Sequence, residues 1–81
     1  MAKPSPNHAG ALVLVVIGDA IRALRVERGL SQEGLAHDAG VDRSYMGGIE
    51  RGEHNLTVMN LHRICQSLDV PLAALMKKAG I

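Results

Sequence analysis

Arg43 and Ser44 follow Asp42, a residue type that caps helix N-termini, so both fall in the first turn of a helix. The helix macrodipole disfavours a cation there, and a residue set against its local electrostatics is often placed for a partner. The guanidinium of Arg43 is a planar fork that matches O6 and N7 of a guanine edge. The plainer alternative is a solvated arginine at a helix start. Gln32, directly after Ser31, opens the preceding short helix in the same way. Backbone N–H groups at such a start point outward and form a ready site for an anion, although an ordinary first-turn polar residue has the same spacing. Tyr45 brings either a hydroxyl that touches phosphate or a half-buried strut. Beyond it a loop carries Gly52, His54 and Asn55, and Asn55 could also serve its own turn. This is recognition chemistry. No Ser–His–Asp or Cys–His grouping has a workable geometry and no glycine-rich loop cradles a phosphate, so no enzyme and no cofactor are expected.

Hydrophobic period and punctuation give the elements that must position these residues. Residues 1–7, with Pro4, Ser5, Pro6 and Asn7, read as a flexible N-terminal tail, and 8–81 as a single domain. A first helix is expected from about His8 to Arg28. Its stripe is Val13, Val16, Ile17, Ala20, Ile21 and Leu24, which leaves Leu12, Leu14 and Val15 off the main face. A strand would break that continuous register. Gly29 ends the helix. Ser31 caps a second helix from Gln32 to Ala39, and Gly40 and Val41 form a tight turn. A third helix runs from Arg43 to about Arg51, where Gly52 stops it. Thr57 caps a fourth with Val58, Leu61, Ile64, Cys65 and Leu68 on its buried face, and Pro71 takes the first position of a fifth that ends near Ala79. The fold class is all-α.

The segment 32–51 joins two short helices by a turn of three or four residues containing Gly40. Leu35, Ala36, Ala39, Val41, Met46 and Ile49 fill the wedge between them. Ala36 must be small where the helices cross, and Gly40 tolerates the positive φ of a sharp turn. This is a helix-turn-helix, the arrangement whose second helix enters a DNA major groove. The strings IRALRVERGLSQEGLA, AGVDRSYMGGIERG and LTVMNLHRICQSLDVPL resemble the lambda-repressor-like, or Xre, helix-turn-helix family over roughly residues 18–76. The run DRSYMGGIERGEHNLT is similar to the controller proteins of restriction–modification systems.

The resemblance implies a compact five-helix lambda-repressor-like bundle. It also implies that Arg43 and Ser44 reach base edges and that Gln32 holds a phosphate and braces the recognition residues. By the same likeness the loop with Gly52, His54 and Asn55 meets the sugar–phosphate backbone. Arg25 and Glu50 match a pair that ties the first helix to the third and fixes the recognition angle. Gly47 and Gly48 depart from the family pattern. Two glycines inside a helix cost about 1 kcal/mol each relative to alanine. Gly47 belongs with the DNA-binding positions as a point of close approach, while Gly48 offers no side chain, so readout concentrates on Arg43 and Ser44. At Gly34 the back half of a capping box is missing.

Composition sets the remaining bounds. The 81 residues are 47% hydrophobic, with net charge +1 and Tyr45 as the one aromatic residue. The core must be aliphatic, and DNA binding must come from local placement of charge. One cysteine excludes a disulfide scaffold, and the four histidines share no zinc-ligand spacing, so no metal is expected. The apolar run Ala9–Ile17 is too short for a membrane span, which needs about 20 residues, and no small-x-small cleavage site follows it. A cytoplasmic protein is expected, with no membrane partner and no small-molecule effector. One helix-turn-helix unit makes a DNA interface on the order of 600–1,000 Å², and specific binding usually needs two half-sites. A homodimer is therefore expected, with Leu72, Leu75 and Met76 at the interface and Leu12 and Val15 behind them. The leading function is a sequence-specific transcription regulator acting on double-stranded DNA. The alternatives are an antitoxin of a toxin–antitoxin pair, or a helical interaction module without DNA binding.

Overall fold

The computed structural model describes residues 10–81. It contains five helices: α1 (Leu12–Glu27), α2 (Gln32–Ala39), α3 (Arg43–Glu50), α4 (Val58–Leu68) and α5 (Leu72–Ala79). The tail assigned to 1–7, and His8, lie outside the described residues. The first helix starts at Leu12 rather than His8, because Gly10 takes a positive φ and Ala11 is the N-cap. The Gly10 amide instead donates to the Gly52 carbonyl at 2.8 Å, which ties the chain entering α1 to the loop after α3.

The predicted punctuation works as written at three helix starts. Ser31 Oγ accepts from the Gly34 amide at 2.9 Å, Asp42 Oδ1 from Tyr45 at 2.8 Å, and Thr57 Oγ1 from Asn60 at 3.0 Å. Each side chain satisfies one of the orphan donors of a first helical turn. Gly40 closes α2 in the left-handed region at φ 76°, a conformation that a side chain would strain. Pro71 is the N-cap of α5 rather than its first helical residue.

The core is aliphatic: Ile21, Leu35, Met46, Ile49, Ile64, Leu68 and Leu75 are its largest fully buried side chains. The middle helices α2 and α4 pack against each other, α3 closes on α2 and α1, and α5 lies along α1 and α4. Two helix faces differ from the sequence reading. On α1, Leu14 is buried and Val13 exposed. The turn that holds them is set by contact with Gly52 and the end of α3, which the stripe of α1 alone does not encode. On α4, Val58 is exposed, since the first turn overhangs the bundle and burial begins at Leu61. Cys65 packs as a small hydrophobe in the core, and burial pushes its thiol pKa up, away from reactivity. Among the described residues no helix is long and apolar enough to cross a membrane.

Candidate nucleic-acid interface

The site is assembled around Glu50, the last residue of α3. Its side chain is only 2% exposed and that of Arg25 13%. Arg25 Nε donates to Glu50 Oε2 at 2.7 Å and Nη2 to Oε1 at 3.2 Å, a two-pronged guanidinium–carboxylate pair. Arg25 Nη1 donates onward to the Leu30 carbonyl at 2.8 Å, which fastens the turn before α2. Gln32 Nε2 donates to the same Glu50 Oε1 at 3.0 Å. One carboxylate therefore gathers α1, the α1–α2 turn and the start of α2 onto the end of α3. Among the described residues no buried side-chain nitrogen or oxygen lacks a partner.

A second approach fixes α1 against α3. A Cβ placed on Gly18 would stand 2.8 Å from the Glu50 carbonyl oxygen and closer still to that of Ile49. Only a bare backbone lets the helices touch there. Sequence reasoning passed over Gly18 because it sits inside a strong apolar stripe. The available signal was its cost, since a mid-helix glycine loses about 1 kcal/mol to alanine unless packing requires it.

With α3 held at its C-terminal end, its N-terminal end projects. Arg43 and Ser44 are exposed. Gly47, one turn further, is on the same face as Arg43. Gly47 is buried because other groups lie over it: a Cβ there would be 3.1 Å from Arg51 Nη1 and 3.5 Å from Gln32 Oε1. Gly48 is also covered. The His54 ring occupies the space a side chain would need, its Cδ2 2.5 Å from the Cβ position. The same ring stacks on Tyr45 with centroids 4.6 Å apart and planes tilted by 31°. Tyr45 is half-buried, and its hydroxyl accepts from Asn60 Nδ2 at 3.3 Å. The strut is thus the role Tyr45 plays within the chain. Asn55 is exposed in the loop that His54 pins to α3.

The glycine pair is therefore a bed for Arg51, Glu53 and His54, three residues whose placement spacing alone did not reveal. Arg51 falls at i+4 from Gly47 and i+8 from Arg43, one helical stripe, which was the legible hint. The residues assigned to an interface between subunits divide. Leu72 is 37% exposed and Met76 half-buried, but Leu75 is fully enclosed in the subunit core and has no surface to offer a partner. Leu72 and Leu75 share a face of α5, but Leu72 sits in the first turn at the rim, whereas Leu75, one turn on, lies in the core where α5 meets α1 and α4.

Comparison with known proteins agrees with this geometry. Residues 21–75 match the helix-turn-helix family model. The chain is 32% identical over 66 residues to the control protein C.SmaI of Serratia marcescens, covering 82% of this chain and 79% of that protein. It is 34% identical over 70 residues to the transcriptional regulator ClgR of Mycobacterium tuberculosis, covering 86% of this chain and 62% of ClgR, so it spans less than two thirds of that longer protein. The crystal structure of the restriction–modification controller protein C.AhdI from Aeromonas hydrophila superposes with a TM-score of 0.75 at 45% identity, over 76% of this chain and 94% of C.AhdI. A five-helix bundle with this motif, matched over most of its length, belongs to the Xre-like helix-turn-helix family, a family of DNA-binding transcription regulators rather than of enzymes.

Proposed function

We propose that the chain regulates transcription by placing α3 in the major groove of an operator as a homodimer in the cytoplasm. The observation that carries this reading is the contrast along α3. Its C-terminal end is clamped by Arg25, Gln32 and the Gly18 contact, while Arg43 and Ser44 project at its N-terminal end. A recognition helix needs that combination, because base readout loses discrimination if the helix can rock. Arg43 reads a base edge, Ser44 adds a second contact, and Gln32, Tyr45 and Asn55 lie where phosphates flank the groove. Gly47 serves this face indirectly, because it leaves room for Arg51 and Gln32 to lie over the helix rather than for the duplex itself.

The test is Arg43→Ala in a titration against the preferred operator and against random DNA. The operator should lose about 1–3 kcal/mol of binding and random DNA much less. An equal loss on both would make Arg43 a phosphate contact and remove it from base readout.

Dimerisation is assigned to the rim of α5, with Leu72, Met76 and Ile81 as the apolar surface and Leu75 as buried support from within. Leu72 and Ile81 are exposed large apolar residues, and the described residues hold one DNA-reading unit. Leu72→Glu should shift sedimentation at micromolar concentration from dimer to monomer, while helicity stays that of the wild type. Operator affinity should fall with it. A wild-type monomer that binds one half-site with full specificity would remove the dimer from the mechanism.

A further inference from the structure

Arg51 and Glu53 form a two-pronged pair on the outside of the recognition helix. Arg51 Nε donates to Glu53 Oε2 at 2.9 Å and Nη2 to Oε1 at 3.2 Å. Both side chains are open to solvent, 61% and 48% exposed. Nothing in the core needs them. Their position bears on the helix face, because Arg51 Nη1 and the Gln32 amide oxygen both lie over Gly47, 3.1 and 3.5 Å from its Cβ position, and Glu53 Oε1 lies 3.5 Å from the Cβ position of Gly48. At the middle of the face that begins with Arg43, the group presented outward is therefore the Arg51 guanidinium. His54, wedged between Gly48 and Tyr45, holds the loop that carries Glu53 in place.

We propose that Arg51 is a binding residue for a phosphate of the DNA backbone, and that Glu53 occupies it in the free protein as an internal competitor. This rests on the DNA-binding reading above and adds a regulator of affinity to it. A guanidinium fork holds carboxylate and phosphate in the same planar, two-bond geometry, so Glu53 keeps Arg51 in the arrangement a phosphate oxygen pair would need. The hydrogen bond between them lowers the Glu53 carboxyl pKa and raises that of Arg51, so the pairing favours the charged form of each. On binding, Arg51 exchanges one anion for another. The exchange is cheap because an exposed pair of this kind is worth little in water. Breaking the Arg51–Glu53 pair costs the same on every sequence, so Glu53 lowers affinity through Arg51 without changing selectivity. The paired glycines make this possible, since a side chain at position 47 or 48 would displace the guanidinium or the imidazole.

The experiment is a double-mutant cycle in fluorescence anisotropy, with a mixed-sequence duplex of about three helical turns and the full chain. Glu53→Gln should tighten binding by about three- to five-fold at low salt. Arg51→Gln should weaken it and make the slope of log affinity against log salt shallower by about 0.9, the loss of one phosphate contact. In the Arg51→Gln background, Glu53→Gln should give no gain beyond that of Asp38→Asn, an exposed carboxylate on α2 that reports bulk charge alone. A Glu53→Gln gain of equal size with and without Arg51, or an unchanged salt slope in Arg51→Gln, overturns the competitor while leaving the DNA reading in place. No binding by any of the four proteins overturns both.

Discussion

Arg25→Met should cost the fold about 3–5 kcal/mol, because it leaves the Glu50 carboxylate buried with Gln32 as its remaining side-chain donor. A domain of this size has a total stability of about 4–12 kcal/mol, so the variant should melt at a much lower temperature. Glu50→Gln removes the charge from the other side and should cost less than Arg25→Met, since the amide oxygen can still accept from Arg25 or Gln32. The double variant should recover part of the loss, as two neutral side chains are less costly to bury than one unpaired ion. Thermal melts of the four proteins give the coupling. Effects that add within about 0.5 kcal/mol would mean the two residues act independently. The functional consequence follows from Gln32, which shares Glu50 Oε1 with the guanidinium. A variant that still folds should discriminate its operator less sharply even though no residue that touches DNA has changed.

That pair shows how far the sequence could be read and by which route. Local chemistry fixes the helix boundaries: Ser31, Asp42 and Thr57 are caps, and each does its work within three residues. A side chain that acts over so short a span leaves its mark in the string of letters. Arg25 and Glu50 are 25 positions apart. No periodicity joins them, and only the resemblance to a known family did. The fully internal placement of Leu75 and the exposure of Val13 and Val58 were missed for the same reason. Each helix was read by its own stripe, whereas the buried face is decided where two helices and a loop meet. The glycine pair on α3 was legible as an anomaly and not as a solution. Its cost is a property of residues 47 and 48, but its benefit depends on His54 and Arg51 folding back over them. The placement of Arg43 and Ser44 in the exposed first turn of α3 was legible because a helix start is the most local feature of the motif.

Gly18→Ala should be about as damaging as breaking the ion pair, at about 3 kcal/mol or more, although alanine is the better helix former. By propensity alone the change gains about 1 kcal/mol within α1. Packing reverses the sign. The new methyl would enter the space of two backbone carbonyl oxygens, of Ile49 and Glu50, and not of a side chain that could rotate away. Overpacking against a rigid neighbour costs about 1–3 kcal/mol in ordinary cores and more where only backbone can move. Relief requires α1 and the C-terminal turn of α3 to separate, which lengthens the Arg25–Glu50 contacts and lets α3 tilt. The loss should therefore appear in two measurements, a lowered melting temperature and a reduced ratio of operator to random-DNA affinity. Gly10 supplies the contrast, because nothing lies near a Cβ built there and its positive φ is the sole constraint. Gly10→Ala should cost only about 1 kcal/mol and leave DNA discrimination intact. If Gly18→Ala instead melts at or above the wild-type temperature with discrimination unchanged, the close approach of α1 to α3 is not what holds the recognition helix at its angle.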